Sequence, residues 1–332
     1  MKNYKSSVIT LVFYSFLVFG LANVKAEMTT IFSDNYDVVW DANPVPKGIL
    51  DSYIGVPDVN GGVARGIGKG YTPPLYTWMV KPLAFTAETL EVTLRGQSGP
   101  SWPNIAAVYL MDTSWGGHGQ QEIGYSFQIY GESNHLFQVL KWSLAGGGSY
   151  EELARYSIGE PVHGWHTYVV SRDATGNWAL TMDGVTRSPS FMTPDLSYTE
   201  FTYIGSFLYR NQSALDYVEV KVLAIEAVVD IDPNTLNLQS NGKWITCYIW
   251  LPEDYNVIDI NSASVVLYDT IKAEWTWVEE EEQVMMAKFN RSAVQDILQP
   301  GQVELTVSGE LLNGRRFEGK DTITVINKGK QK

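Results

Sequence analysis

Trp102 and Trp115 stand in the segment SGPSWPNIAAVYLMDTSWGGHGQQ, each beside Pro, Ser or Gly at a loop position. A large aromatic on a glycine-rich edge leaves apolar surface in water unless it contacts something. An indole can stack on the apolar face of a sugar ring, and half-burial of one such face contributes about 1–1.5 kcal/mol. Even a millimolar affinity needs about 4 kcal/mol, so one tryptophan is not enough. Trp142, His118 and Tyr130 are the residues expected to join the two as a ligand-binding set. The same tryptophans also suit a second use, as anchors folded back over the ends of a sheet stack, because aromatics dominate cores. Both uses stay open at this point.

Signatures of catalysis are sparse. Paired carboxylates must share a surface, which on a strand means even spacing. Glu88 and Glu91, Glu151 and Glu152, and Asp216 and Glu219 are all odd-spaced. A lyase needs a base plus neutralisation of an acidic sugar. Gln128, Tyr130 and His135 supply only parts of that set, with Arg95 the arginine nearest in a strand. The chain has no G-x-S-x-G turn, no H-E-x-x-H and no C-x-x-C pair. A binding role is therefore favoured over an enzymatic one. A polysaccharide hydrolase or lyase and a purely structural surface protein are the alternatives.

The elements that must position these residues are strands. In GWHTYVVSRDATGNWALTMDG, from Gly164 to Gly184, bulky and polar residues alternate up to Arg172. Asp173-Ala174-Thr175-Gly176 then reverses the chain, and Trp178, Leu180 and Met182 share the next apolar face. An isolated hairpin is marginal in water, so that face must meet another sheet. TLEVTLRG, NIAAVYLM, IGYSFQIYG, HLFQVLKWS, FTYIGSF and ALDYVEVKVL repeat the pattern between Gly, Pro, Asn and Ser clusters. Many short strands without long amphipathic helices predict a jelly-roll sandwich.

From Val228 a second strand-rich stretch begins, with Asn241-Gly242 as a turn. One helix is expected where Ser292 and Gln295 have capping-box spacing, ending at Pro300-Gly301. Trp275 and Trp277 share a face ahead of Glu279–Glu282, and are expected to pack in the core or against the first domain. Cys247 lies in the apolar run KWITCYIWLP, and a small buried side chain is expected there.

The whole composition fits an exported protein. Lys2 and Lys5 precede an apolar run from Val8 to Ala22, and Val24-Lys25-Ala26 offers a signal-peptidase site. Residues 1–26 are expected to be a signal peptide, too short in its apolar part for a span of about 20 residues. No further membrane span is expected in the mature chain. The destination would be secreted, cell-surface or periplasmic. With one cysteine, no internal disulfide can form, so hydrophobic cores must hold the fold. The formal net charge of −13 argues against nucleic-acid partners.

The Gly164–Gly184 hairpin resembles that of the concanavalin A-like and laminin-G-like superfamily. YIGSFLYRNQSALDYVEVKV is similar to its closing stretch, and IFSDNYD to its opening strand. The resemblance spans about residues 29–224 and implies a jelly-roll domain over 27–225. That superfamily includes lectins, adhesive modules, glycosidases and lyases. VDIDPNTLNLQSNGKWITCYIWLPEDYNVIDINSASVVLYDT, KFNRSAVQDIL and VELTVSGELLNGRRFEGKDTITVI resemble an immunoglobulin-like module of exported bacterial and archaeal proteins. They imply a second β-sandwich domain over 228–327. The aspartate-rich loop of similar modules is replaced here by KAEWTWVEEEEQVMM.

The expected fold class is therefore all-β: a concanavalin-like jelly roll followed by an immunoglobulin-like sandwich. Sandwiches of the first kind place their first and last strands side by side, which brings Asp34 toward Asp216. Two carboxylates and main-chain carbonyls would make a site for structural calcium. No other cofactor is expected. The expected partner is a polysaccharide or a cell-surface glycan or protein.

Overall fold

The computed structural model describes residues 28–36, 54–55, 58–59, 63–66, 76–99, 104–112, 123–131, 136–143, 149–158, 164–210 and 212–329, with only the backbone at 54–55, 58–59, 76 and 78. The signal-peptide expectation for residues 1–26 lies outside them.

Among the described residues two large sheets form the N-terminal part. The first runs in the order Val185–Arg187, Trp178–Met182, His166–Arg172, Leu90–Gln97, Ala214–Leu223, Ala64–Arg65, Asp58–Val59, and Met28–Asp34 pairs with Ala214–Leu223. The second runs Phe191–Met192, Ser149–Ser157, Leu136–Ser143, Gly124–Tyr130, Ile105–Met111, Glu200–Tyr209, Tyr76–Thr86, Ile54–Gly55. Nearly all of these pairings are antiparallel, the Ile54–Gly55 edge being parallel. Alternation directs Leu90, Val92 and Leu94 of one sheet toward Tyr125, Phe127 and Ile129 of the other, in one buried core.

The Gly164–Gly184 hairpin forms as its alternation predicts. Tyr168, Val170 and Arg172 are buried opposite Met182, Leu180 and Trp178. Trp178 meets Tyr125 edge-on, with ring centroids 5.2 Å apart, and so ties the hairpin to the second sheet. Arg172 is fully buried. Its guanidinium donates to the carbonyls of Ala87 (2.7 Å), Tyr198 (2.8 Å) and Glu88 (2.9 Å). It also lies over the Tyr125 and Trp178 rings. A buried charge is tolerable only when so fully partnered.

The turn of this hairpin is organised by Asp173. Its Oδ1 accepts from the Thr175 hydroxyl (2.7 Å) and from the Thr175 and Asn177 amides (2.8 and 3.0 Å). These donors, the Thr175 hydroxyl first, stabilise the charged form and hold the carboxyl down at about 2. A folded value below the unfolded one means that the stabilisation is complete above about pH 4 and is lost as pH falls through 2. We predict that the Asp173 carboxyl carbon titrates near pH 2 by NMR. A midpoint near 4 would contradict this geometry.

The C-terminal part has its own core, built from residues between Ile225 and Val325. One sheet runs Ile225–Glu226, Arg316–Ile326, Gly301–Glu310, Val266–Leu267, Ile271–Lys272, with Thr235–Asn237 also on Arg316–Ile326. The other runs Val228–Asp232, Trp244–Trp250, Val284–Asn290, Trp275–Glu279. Cys247 points into this core and is fully buried, and burial pushes its thiol well above the usual range. The expected helix forms over Arg291–Ile297, but its cap is Asn290, whose side chain accepts from the Ala293 amide (3.2 Å). Ser292 therefore lies inside the helix, and Gln295 donates instead to the carbonyls of Asn237 and Ser240.

The two cores touch through polar contacts. Thr86 donates its amide and its hydroxyl to the carbonyls of Gly314 and Asn313. Arg315 pairs with Glu88 (3.3 Å), and Thr29 with Glu318 (3.2 Å). Trp275 and Trp277 do not pack as expected. They are 43% and 57% exposed, and the inward residue beside them is Val278.

Candidate functional site

The second sheet of the N-terminal part has a populated outer face. Ala106, Val108 and Leu110 point into the main core, so Ala107, Tyr109 and Met111 must point away from it. They cluster there with Phe207, and Val80, Ile105, Trp142, Tyr203 and Tyr209 pack against them. Cross-strand register orders the face into rows. Tyr203, Met111, Gly124, Trp142 and Tyr150 lie opposite one another in turn. The next row is Gly205, Tyr109, Ser126, Leu140 and Glu152, and the one after is Phe207, Ala107, Gln128, Gln138 and Arg155.

Polar groups are threaded between these rings. The Trp142 indole nitrogen donates to Ser126 Oγ (2.8 Å), which also accepts from Gln128 Nε2 (3.0 Å). Gln128 Nε2 reaches the Tyr109 hydroxyl as well (3.3 Å). Ser126 and Gln128 are buried, so this network fixes the indole rather than competing with water for it. Trp142 lies between Tyr109 (6.0 Å) and Tyr150 (5.3 Å), both tilted. Tyr150 is 61% exposed, which makes this end of the aromatic row the accessible one.

A register shift between Glu152 and Ala154 shapes the polar side of that end. Leu153 and Ala154 are both buried in the main core, two residues opposite one on the partner strand. The extra residue returns Arg155 to the face that carries Glu152. Arg155 grips Glu152 through Nε (2.7 Å) and Nη2 (2.6 Å), and Gln138 Nε2 donates to the same carboxylate (2.8 Å). Glu152 is thus held in place by charge-assisted hydrogen bonds from Arg155 and by the Gln138 amide.

Of the residues that the sequence nominates, Trp142 and Tyr130 lie on this face, Tyr130 following Ser126 and Gln128 at even spacing. Trp102, Trp115, His118 and also His135 lie outside the described residues. Tyr109, Tyr150, Glu152 and Phe207 were not nominated. The even spacing of Ser126, Gln128 and Tyr130 was the available signal. Tyr109, hidden in the apolar run NIAAVYLM, gave none.

Asp34 pairs opposite Val218, two residues along the strand from Asp216. Each already has a basic partner. Asp34 lies 3.5 Å from Lys81 Nζ and accepts the Tyr36 amide (2.7 Å). Asp216, the extra residue where Ala214–Leu223 slips against Leu90–Gln97, accepts from Arg95 Nη1 (2.9 Å). Burial pushes the Asp216 carboxyl up. No cluster of three or more His, Cys, Asp or Glu suited to a metal occurs among the described residues. A calcium ion at Asp34 and Asp216 would have to compete with Lys81 and Arg95, and these two residues do not build the expected cation site on their own.

No family model matches this chain, and no curated protein does. Solved structures share its β-sandwich character loosely. The carbohydrate-binding module CBM66 from Bacillus subtilis is 10% identical, over 48% of this chain and 82% of that one, with a TM-score of 0.32. The potassium-bound Emp46p carbohydrate recognition domain is 9% identical, over 49% and 84%, with a TM-score of 0.37. The kappa-carrageenase from Pseudoalteromonas carrageenovora, in complex with a kappa-carrageenan oligosaccharide, is 13% identical, over 61% and 99%, with a TM-score of 0.33. Superpositions this loose say nothing of ligand or chemistry. The fold itself is all-β, of stacked antiparallel sheets.

Proposed function

We propose that this is an exported glycan-binding protein, in which a concanavalin-like sandwich carries the sugar site and an immunoglobulin-like sandwich follows it. The observation that supports this most is the Trp142–Tyr150 pair. One ring is pinned by Ser126, the other is exposed, and a Gln138–Glu152–Arg155 network occupies the next two rows of the same face. A sugar ring offers an apolar C–H face and a rim of hydroxyls, and this end of the sheet offers both complements. Stacking on Tyr150 and the Trp142 edge contributes about 2–3 kcal/mol by area, and two hydrogen bonds to the network about 2 more. The total corresponds to an affinity around millimolar or somewhat tighter.

The test is calorimetric or NMR titration of the mature chain with a panel of soluble oligosaccharides. Tyr150→Ala is the cleanest variant, because the ring is largely exposed and its loss costs the fold little. Binding should weaken about tenfold with Tyr150→Ala, and more with Trp142→Ala. A parent protein that binds a glycan, with both variants binding it equally well, would remove this face from consideration.

A further inference from the structure

The four-stranded sheet of the C-terminal part turns one face to its core and the other outward. Val229, Ile231, Ile245, Cys247, Ile249, Met285, Ala287, Phe289 and Val278 face inward. By alternation the outward residues include Trp244, Tyr248 and Trp250 on one strand, Met286 and Lys288 on the next, and Trp275 and Trp277 on the edge strand. Register puts Trp277 opposite Met286, itself opposite Tyr248, and puts Trp275 opposite Lys288. The result is two aromatic rails two strands apart, about 9–10 Å, with Met286 and Lys288 in the shallow strip between them. Within each rail the rings are aligned. Trp275 and Trp277 are parallel to within 6° at 6.4 Å, and Tyr248 and Trp250 to within 27° at 6.2 Å. Lys288 Nζ sits 4.8 Å from the Trp275 ring centroid, and Lys243 Nζ 4.5 Å from that of Trp244.

We infer that this face is a second glycan-binding surface, taking a chain of neutral pyranose units along the Trp275–Trp277 rail. Two rings of matched orientation, at alternate positions of one strand, present the same apolar surface to successive units of a polymer. Lys288, on the strand beside the rail, supplies donors for hydroxyls. Charge selects the kind of sugar. Glu279–Glu282 adjoin the rail, Asp230 and Asp232 line the far edge, and the chain is net −13, all of which oppose uronate or sulfated polymers and anionic membranes. The surface lies on a sheet other than the one bearing Trp142 and Tyr150, so each can be present without the other.

Affinity electrophoresis of the mature chain in gels containing neutral polysaccharides (β-glucan, xylan, galactomannan), with pull-down on microcrystalline cellulose and chitin, tests this directly. At least one neutral polymer should retain the parent protein, and the Trp275→Ala/Trp277→Ala variant should lose about tenfold in that retention. Each ring is only about half buried, so the variant should unfold at a lower midpoint but stay folded at the temperature of the assay, which far-UV circular dichroism checks. Tyr150→Ala should leave this retention in place if the second surface carries it, whereas loss with Tyr150→Ala alone would assign all binding to the first face and overturn the inference. Equal retention of the double variant would overturn it too, as would a failure of every neutral polymer to retain the parent. Concentration-dependent dimerisation in sedimentation, abolished by the double variant, would instead assign the rail to self-association.

Discussion

Arg172→Met should lower the stability of the N-terminal sandwich by about 3–5 kcal/mol, since three carbonyls each lose their donor at about 1–3 kcal/mol apiece where they stay buried. Methionine restores much of the volume but none of the donors. The carbonyls of Ala87, Glu88 and Tyr198 would then lose their shared partner in a place where water cannot easily replace it. The same substitution removes the cation from the faces of Tyr125 and Trp178. Denaturant unfolding followed by tryptophan fluorescence reads the change. A loss under about 1 kcal/mol would mean that the three carbonyls find other donors, and that Arg172 is a passenger rather than a tie between the hairpin and the loop before Leu90.

Gly124→Ala should be nearly as damaging, at about 3 kcal/mol from backbone strain and overpacking together. Gly124 has φ +146, which side-chain-bearing residues rarely adopt. A Cβ there would meet the Leu110 carbonyl oxygen at 2.0 Å and Met111 Cα at 2.9 Å, both backbone atoms that cannot swing aside. The relief available is a shift of Gly124–Tyr130 against Ile105–Met111. That shift would carry Ser126 away from the Trp142 indole. Gly124→Ala should therefore weaken the glycan binding proposed for this face along with stability, unlike Tyr150→Ala, which should affect that binding alone. Thermal unfolding and titration of the two variants side by side separate these outcomes.

The hairpin was legible because both of its strands keep a strict two-residue period, and the turn between them is spelled by Asp173 and Gly176. Burial of Cys247 was legible for the same reason. Trp142 and Tyr130 could be nominated from residue type alone. What could not be read are the places where the period breaks. Leu153 and Ala154 are adjacent and both buried, and only a slipped register allows that. Without it, Glu152 and Arg155 would point to opposite faces, and the grip on the carboxylate could not form. Asp216 sits at another such slip. The exposed tryptophans failed for a different reason. Trp275-Thr276-Trp277-Val278 offers bulky residues at both parities, and size suggests that the indoles go inward. The core took Val278 instead, which lies opposite Met285.

The join between the two sandwiches has a mechanical meaning. Ala214–Leu223 ends one sheet and Ile225–Glu226 begins another, with Ala224 alone between them. Ile225–Glu226 is zipped in parallel along Arg316–Ile326. A protein tethered through one half and tugged through the other would carry the load on a stretch of chain with no slack to pay out. Tension between the two halves would pass straight into paired backbone, where a glycine-serine tether would first have uncoiled.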